Sequence, residues 1–172
     1  ASVICTDKTG TLTQNQMTVR KVWAAREKVQ ELSEKLSDQG LHLLRLGTLC
    51  SDGRVELSDG EKRHIGDPTE TAIVAYARKL GMEKADLQTD FPRVGEIPFD
   101  SDRKLMTTVN LIGDRKVVIV KGAPDILFSR CTSGNLEAAE QANAEMAREA
   151  LRVLAVAYKY IDEVPAECLP EE

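Results

Sequence analysis

Residues 93 to 122 contain three β-strand candidates in a row, and this run constrains the fold more than any other part of the chain. The candidates read RVGEIPF, KLMTTVNLI and RKVVIVKG, with only short connections between them. The last two are joined by Gly113-Asp114, which suits a two-residue hairpin turn. Because a two-residue turn can join only antiparallel strands, the run predicts an antiparallel sheet.

The segments on the amino-terminal side are predicted to alternate between strands and helices. MTVRKVW at 17 to 23 has the pattern of a strand, and the helix after it is expected to carry Val29, Leu32 and Leu36 at helical spacing. A second helix is expected over residues 41 to 50. RVELSDGEKRHIG predicts a hairpin about Asp59-Gly60, because Asp-Gly supplies the positive φ angles of a tight turn.

DPTETAIVAYARKLG, residues 67 to 81, is the clearest helix in the sequence. Asp67 can cap it, Pro68 suits its first turn and Gly81 can end it. One apolar stripe is formed by Ile73, Tyr76, Ala77 and Leu80. A loop that ends near Pro92 is expected to follow.

The remaining segments complete the fold prediction. APDILFSRC is expected to be a short helix, LEAAEQANAEMAREAL a longer one, and RVLAVAYKYI a β-branched strand. Residues 1 to 5 are predicted to be a short buried strand. Hairpins mixed with helices favour an α+β fold, which we predict to be an antiparallel β-sheet of about six strands flanked by helices.

Composition excludes several classes of function. The chain has 172 residues, 42% of them apolar, and a net charge of −5, which argues against a nucleic-acid surface. No apolar run approaches the roughly 20 residues of a membrane span, and no signal peptide is recognised, so no direct membrane contact is expected. The four cysteines lie far apart and the two histidines are isolated, which predicts reduced thiols and no zinc site.

Two lysines are predicted to lie close together on the sheet. If residues 104 to 112 pair with 115 to 121 through the Gly113-Asp114 turn, Ile112 faces Arg115 and Met106 faces Lys121. Side chains alternate along a strand, so Lys104 would share the face of Lys121. They can be solvated lysines on an exposed sheet edge, or a clamp for an anion such as phosphate.

DKTGTLT at residues 7 to 13 places an aspartate before a lysine, a glycine and several hydroxyls. This motif is similar to the phosphorylation signature of the P-type cation-transporting ATPases. GDPTET at 66 to 71, FDSDRK at 99 to 104, KGAPD at 121 to 125 and RVLAVA at 152 to 157 resemble further motifs of that family's nucleotide-binding domain, in the family's order. The resemblance is to type II pumps, and to bacterial calcium pumps in particular.

The resemblance implies ATP and Mg²⁺ as cofactors and Asp7 as the residue that accepts the γ-phosphoryl group. A carboxylate in that position forms an aspartyl phosphate. Lys8 and Thr9 would donate to the phosphate oxygens, and Asp7 and Thr9 would belong to an incomplete magnesium site. Related haloacid-dehalogenase-like phosphatases usually have a second aspartate at the position of Thr9, so its absence favours a longer-lived phosphoenzyme.

The resemblance also assigns a nucleotide pocket. Phe99 would stack on adenine, Lys104 and Lys121 would lie near the ring and the phosphates, and Gly122 would permit close approach. Arg152 and Leu154 would close the far side. Glu70 would bind the adenine amino group, or would instead complete a capping box with Asp67. Ser101 replaces an arginine frequent in calcium pumps, which is expected to weaken the grip on the β-phosphate; whether Arg103 compensates is left open.

The expected domain organisation follows from the resemblance. Residues 1–15 would be the start of the phosphorylation domain, 16–164 the nucleotide-binding domain, and 165–172 a tail returning to the phosphorylation domain. The chain is expected to be a cytoplasmic fragment of a membrane pump. It would bind ATP without turnover, and its partners would be the remaining phosphorylation, actuator and transmembrane domains.

Two other classes of function remain open at this point. One is a haloacid-dehalogenase-type phosphatase or kinase, for which we find no complete core and no distal acidic pair. The other is a non-catalytic interaction module in which glutamate- and alanine-rich helices dock a partner and the nucleotide pocket is degenerate.

Overall fold

A computed structural model describes residues 16–24, 28–31, 35–58 and 61–164, without the side chains of 57, 58, 61 and 62. The predicted strand at residues 1 to 5, the DKTGTLT motif, the Asp59-Gly60 turn and the tail lie outside the described residues. The elements in chain order are β1 (Lys21–Val22), β2 (Gln30–Glu31), α1 (Asp38–Leu49), β3 (Arg54–Ser58), β4 (Glu61–Ile65), α2 (Pro68–Lys79), α3 (Lys84–Asp90), β5 (Arg93–Asp100), β6 (Leu105–Ile112), β7 (Arg115–Gly122), α4 (Pro124–Phe128), α5 (Leu136–Arg148) and β8 (Ala155–Ile161).

The α+β fold with antiparallel sheets is confirmed. The eight strands of the described residues do not form one sheet of about six, as predicted, but are divided among three sheets. The central sheet has four strands in the order β5-β6-β7-β8, and β1-β2 and β3-β4 each form a two-stranded sheet. Every pair of neighbouring strands is antiparallel. In the central sheet, short connections join β5 to β6 and β6 to β7, whereas β7 reaches β8 through α4 and α5.

The predicted register of the central hairpin is confirmed. Ile112 pairs with Arg115 and Met106 pairs with Lys121. The prediction that Lys104 shares the face of Lys121 is not supported, because β6 begins at Leu105. Lys104 has a φ of 56°, in the left-handed region, so the alternation of side chains in β6 does not extend to it.

The helix predictions are partly correct. α2 begins as expected: Asp67 accepts hydrogen bonds from the backbone N–H groups of Thr69 and Glu70. The loop expected before Pro92 contains the short helix α3, which was not predicted. The prediction of a helix that carries Val29 is wrong for the part of this segment that the structure describes, because Gln30–Glu31 is a strand that pairs with β1.

Two apolar clusters form the core. The larger one fills the space between the central sheet, α1 and α3, and its members are Leu46, Leu49, Cys50, Leu87, Met106, Val117 and Ile119. The smaller one joins β1 to α1 and α2 through Val22, Leu36, Leu44, Tyr76 and Ala77. Among the described helices, none has both the length and the apolar character that a membrane span requires.

Candidate functional site

Three of the motifs named in the sequence analysis meet at one end of the central sheet. The pairs of the three hydrogen-bonded ladders place Asp100, Leu105, Gly122 and Ala155 in a single row across the four strands. Because the strands alternate in direction, β5 and β7 end at this row while β6 and β8 begin there. Three motifs therefore meet at one end of the central sheet, although their residues are up to 58 positions apart in the sequence: FDSDRK, KGAPD and RVLAVA.

Gly122 lies at the centre of this row, and its backbone is in close contact with the residue before β6. A Cβ atom on Gly122 would lie 2.2 Å from the carbonyl oxygen of Lys104. The N–H of Ala123 donates to the same oxygen, at 3.2 Å. Position 122 is thus occupied by glycine because the backbone carbonyl of Lys104 leaves no room for a Cβ atom. The side chain of Lys104 is exposed at the surface.

Lys121 is almost fully buried, with 4% of its surface exposed. Its Nζ donates to Glu70 Oε1 at 2.7 Å and to Ser51 Oγ at 2.8 Å. A buried ammonium requires such partners, because desolvating an unpaired charge is costly. GDPTET therefore joins the site through Glu70. The ammonium of Lys121 is thus engaged by protein groups and is not open to solvent.

Glu70 uses its second oxygen as well. Oε2 accepts from the backbone N–H groups of Asp52 and Gly53, at 2.8 and 2.9 Å. The capping box proposed for Asp67 and Glu70 is present only in its Asp67 half, since Glu70 turns toward Lys121 and the loop after α1. Burial alone would raise the pKa of Asp67, but hydrogen bonds from Thr69 and Glu70 outweigh it and lower the pKa.

Phe99 offers an aromatic ring at the end of β5. It is 61% exposed and lines a cavity of about 400 Å³ together with Ile97, Pro98, Asp100 and Arg103. Arg103 Nη2 donates to Thr107 Oγ1, whereas Nε and Nη1 are buried and have no acceptor among the described residues. Asp100 Oδ1 accepts from the N–H groups of Asp102 and Arg103, which fixes the turn between β5 and β6.

Arg152 and Leu154 lie in a different cavity. This second space, of about 500 Å³, lies beside β8 and is mostly apolar; Leu43 and Met146 are among its lining residues, and Thr69 reaches it from the start of α2. Lys104, Lys121 and Glu70 are not among the described residues that line either cavity. Phe99 and Leu154 are thus at opposite ends of the row, three strand spacings or roughly 14 Å apart.

The catalytic prediction falls on residues outside those described. Asp7, Lys8 and Thr9, including the magnesium ligands expected at Asp7 and Thr9, belong to that part of the chain. Within the described ranges, no three His, Cys, Asp or Glu side chains group so that they could hold a metal ion.

Three residues around Lys121 were not found from the sequence. Ser51 contacts Lys121 directly. Lys84 and Arg93 bind the carbonyl groups of the loop that carries Ser51. Burial lowers the pKa of Lys84 and the neighbouring Arg93 lowers it further. Nothing in CSDG at 50 to 53 distinguishes Ser51 from an ordinary loop serine, so only the fold brings it to the site.

Comparison with known proteins identifies the family of the chain. Residues 39–171 match the family model described as the P-type ATPase cytoplasmic domain N. The chain belongs to this family. It is 40% identical to a calcium-transporting ATPase of Listeria monocytogenes over 92% of this chain, and 41% identical to one of Lactococcus lactis over 96%. A calcium-transporting ATPase of Bacillus subtilis is 38% identical over 94% of the chain. The chain spans about a fifth of the length of these relatives: 19%, 20% and 22%.

Proposed function

We propose that this P-type ATPase domain N binds ATP at the row of Asp100, Leu105, Gly122 and Ala155. In the longer protein it would deliver the γ-phosphoryl group to Asp7 and so drive cation transport. The relatives are named calcium-transporting ATPases, which makes calcium the candidate ion.

The observation that carries the proposal is the convergence of four separate motifs on Lys121 and Gly122. Glu70 reaches Lys121 through an ion pair. The carbonyl of Lys104 lies against Gly122. Ala155 pairs with Gly122 on the other side. If each motif had only a structural role of its own, nothing would require all four to contact Lys121 or Gly122.

The residues at this end of the central sheet are chemically suited to bind a nucleotide. Phe99, with 61% of its surface exposed, offers accessible ring surface on which a base can stack. The buried Nε and Nη1 of Arg103, which lack an acceptor among the described residues, suit a phosphate oxygen, because guanidinium groups bind phosphate in a fixed geometry. Lys104, exposed beside them, adds a positive charge. Arg103 is thus the residue best able to supply the phosphate contact that is expected to be lost with a serine at position 101.

In the proposed reaction of the longer protein, a carboxylate oxygen of Asp7 forms a bond to the γ-phosphorus. The bond from that phosphorus to the bridging oxygen breaks, and ADP leaves with the electron pair. Lys8 and Thr9 would donate to the γ-phosphate oxygens. Asp7 and Thr9 would bind Mg²⁺, which when bound neutralises charge on the phosphates.

Calorimetric titration with ATP tests the site. Phe99→Ala should weaken binding by roughly 5- to 150-fold, since stacking of a base on an aromatic side chain contributes about 1–3 kcal/mol. Val94→Ala is the matched control, because Val94 is an exposed apolar residue of the same strand at its far end. Equal affinity of the Phe99→Ala variant and the parent would refute the site. No heat in the parent would favour the interaction module.

Turnover by this chain alone is a separate question. We propose that it binds ATP without hydrolysing it, which is supported by its covering only a fifth of the ATPases it matches. Incubation with radiolabelled ATP and magnesium should leave no acid-stable phosphoprotein. A label found on Asp7 would contradict this.

A further inference from the structure

Ser51 connects α1 to the proposed nucleotide site. It follows the cap of α1 and is fully buried, with 0% exposure. Its hydroxyl donates to the carbonyl of Gly47 at 2.7 Å and accepts from Lys121 Nζ at 2.8 Å. The hydroxyl is therefore oriented by the last turn of the helix, and its lone pair is directed at the ammonium of Lys121.

Two cations fix the backbone of the loop that carries Ser51. Lys84 Nζ donates to the carbonyls of Ser51 and Gly53, at 2.6 and 2.8 Å. Arg93 Nη2 donates to the carbonyls of Leu49 and Ser51, at 2.9 and 3.2 Å. Bonds from charged donors are stronger than bonds between neutral groups, so the position of Ser51 is set by α3 and β5 as well as by α1.

Glu70 holds the other side of the same loop. Its Oε2 accepts from the N–H groups of Asp52 and Gly53 while its Oε1 binds Lys121. A Cβ on Gly53 would lie 3.0 Å from Glu70 Cβ and 3.0 Å from the backbone nitrogen of Thr71, so glycine lets the loop lie against α2. The two acceptors of Lys121 thus belong to one rigid unit.

This arrangement orders a side chain that is flexible by nature. Lysine has several rotatable bonds and loses considerable rotamer entropy when it is fixed. If the protein already fixes the lysine side chain before a ligand binds, the rotamer entropy is lost on folding and does not weaken the binding of the ligand. Of the three N–H donors of an ammonium, two are engaged by Ser51 and Glu70, and these two determine the direction of the third.

We propose that Ser51 is a positioning residue for nucleotide binding, which acts by orienting the ammonium of Lys121. The proposal rests on the proposed function, because it requires that Lys121 contribute to ATP affinity. Ser51 itself does not touch the nucleotide.

A double-mutant cycle on the 172-residue chain tests this. ATP affinity is measured by calorimetry for the parent, Ser51→Ala, Lys121→Met and the double variant, with thermal unfolding recorded for each. Removing one hydrogen bond should weaken ATP binding between about two- and tenfold in Ser51→Ala. In the Lys121→Met background the same substitution should have no further effect, because its target is gone.

Thr48 supplies the matched control. It is buried in the same helix, and its hydroxyl donates to the carbonyl of Leu44 at 2.8 Å, but it does not contact Lys121. Thr48→Val should leave ATP affinity unchanged. A second arm does not depend on the folding of the Lys121 variant: Ser51→Thr keeps the hydroxyl and should bind ATP within about twofold of the parent.

The outcomes separate the two proposals. Parent-like affinity in Ser51→Ala, with weakened binding in Lys121→Met, would overturn the role of Ser51 and leave the proposed function intact. An equal loss in both backgrounds, or a loss in Ser51→Thr as large as in Ser51→Ala without a fall in its melting temperature, would also overturn it. No binding by the parent would refute the proposed function, and the role of Ser51 with it.

Discussion

Replacement of Gly122 by alanine tests why a glycine stands at the centre of the site. The new Cβ would lie 2.2 Å from the carbonyl oxygen of Lys104, 2.8 Å from Leu105 Cδ2 and 3.0 Å from Leu105 Cα. Two of these three atoms belong to the backbone of the neighbouring strand and its turn, so no side-chain rotation relieves the clash. β6 and β7 must separate at this point.

The expected cost has two parts. Forcing an extra methyl group into packed structure costs about 1–3 kcal/mol. Separation of the strands also lengthens the bond from the Ala123 N–H to the Lys104 carbonyl, which contributes about 1 kcal/mol. The sum is roughly 2–4 kcal/mol. At about 2–4 °C per kcal/mol for a chain of this size, the melting temperature should fall by roughly 4 to 16 °C.

Gly47→Ala is the control in the same thermal unfolding assay. Gly47 lies inside α1, where a Cβ would make ordinary contacts of 3.5 Å with Ile73 Cγ2 and 3.8 Å with Val156 Cγ2. Alanine is favoured over glycine in a helix by up to about 1 kcal/mol, so this variant should melt slightly higher. If Gly122→Ala cost less than about 0.5 kcal/mol, the steric reasoning would be refuted. Gly122 would then serve the ligand alone.

Two further predictions concern titratable groups. Asp67→Ala should lower stability by about 1 kcal/mol through loss of the α2 cap, while Asp67→Asn retains the cap at neutral pH. Because the folded-state pKa of Asp67 is lowered, its ionised form stabilises the fold above the unfolded value and this gain is lost as pH falls through the folded pKa. The parent should therefore lose stability more steeply than Asp67→Asn in acid denaturation; parallel curves would contradict this. Burial raises the pKa of Cys50 to about 11, so iodoacetamide at pH 8 should alkylate it far more slowly in the native chain than in guanidinium; equal rates by peptide mapping would contradict its burial.

The parts of the fold that were predicted correctly depend on local chemistry. A two-residue turn at Gly113-Asp114 fixes strand register, which is why both pairs predicted for β6 and β7 occur. Asp67 and Pro68 define the start of α2 in the same local way. α3 was missed because its N-cap, Glu83, makes no side-chain cap bond and only Leu87 of the helix is buried.

The errors come from long-range contacts. Val29, Leu32 and Leu36 have helical spacing, yet Gln30 pairs with Val22 in a strand, and periodicity in a short segment cannot exclude that. At the site, four of the segments singled out from the sequence meet at the end of the central sheet. The sequence did not predict that Glu70, 51 residues away, would bind Lys121, nor that Lys104 would adopt a positive φ and turn out of the strand.

Backbone amide shifts in a titration with a non-hydrolysable ATP analogue and magnesium test the central claim most directly. If ATP binds across the end of the sheet, the largest shifts should occur at Phe99, Lys104 and Gly122. Shifts confined to the apolar cavity around Leu43 and Met146, or no shifts at millimolar analogue, would contradict the proposed site.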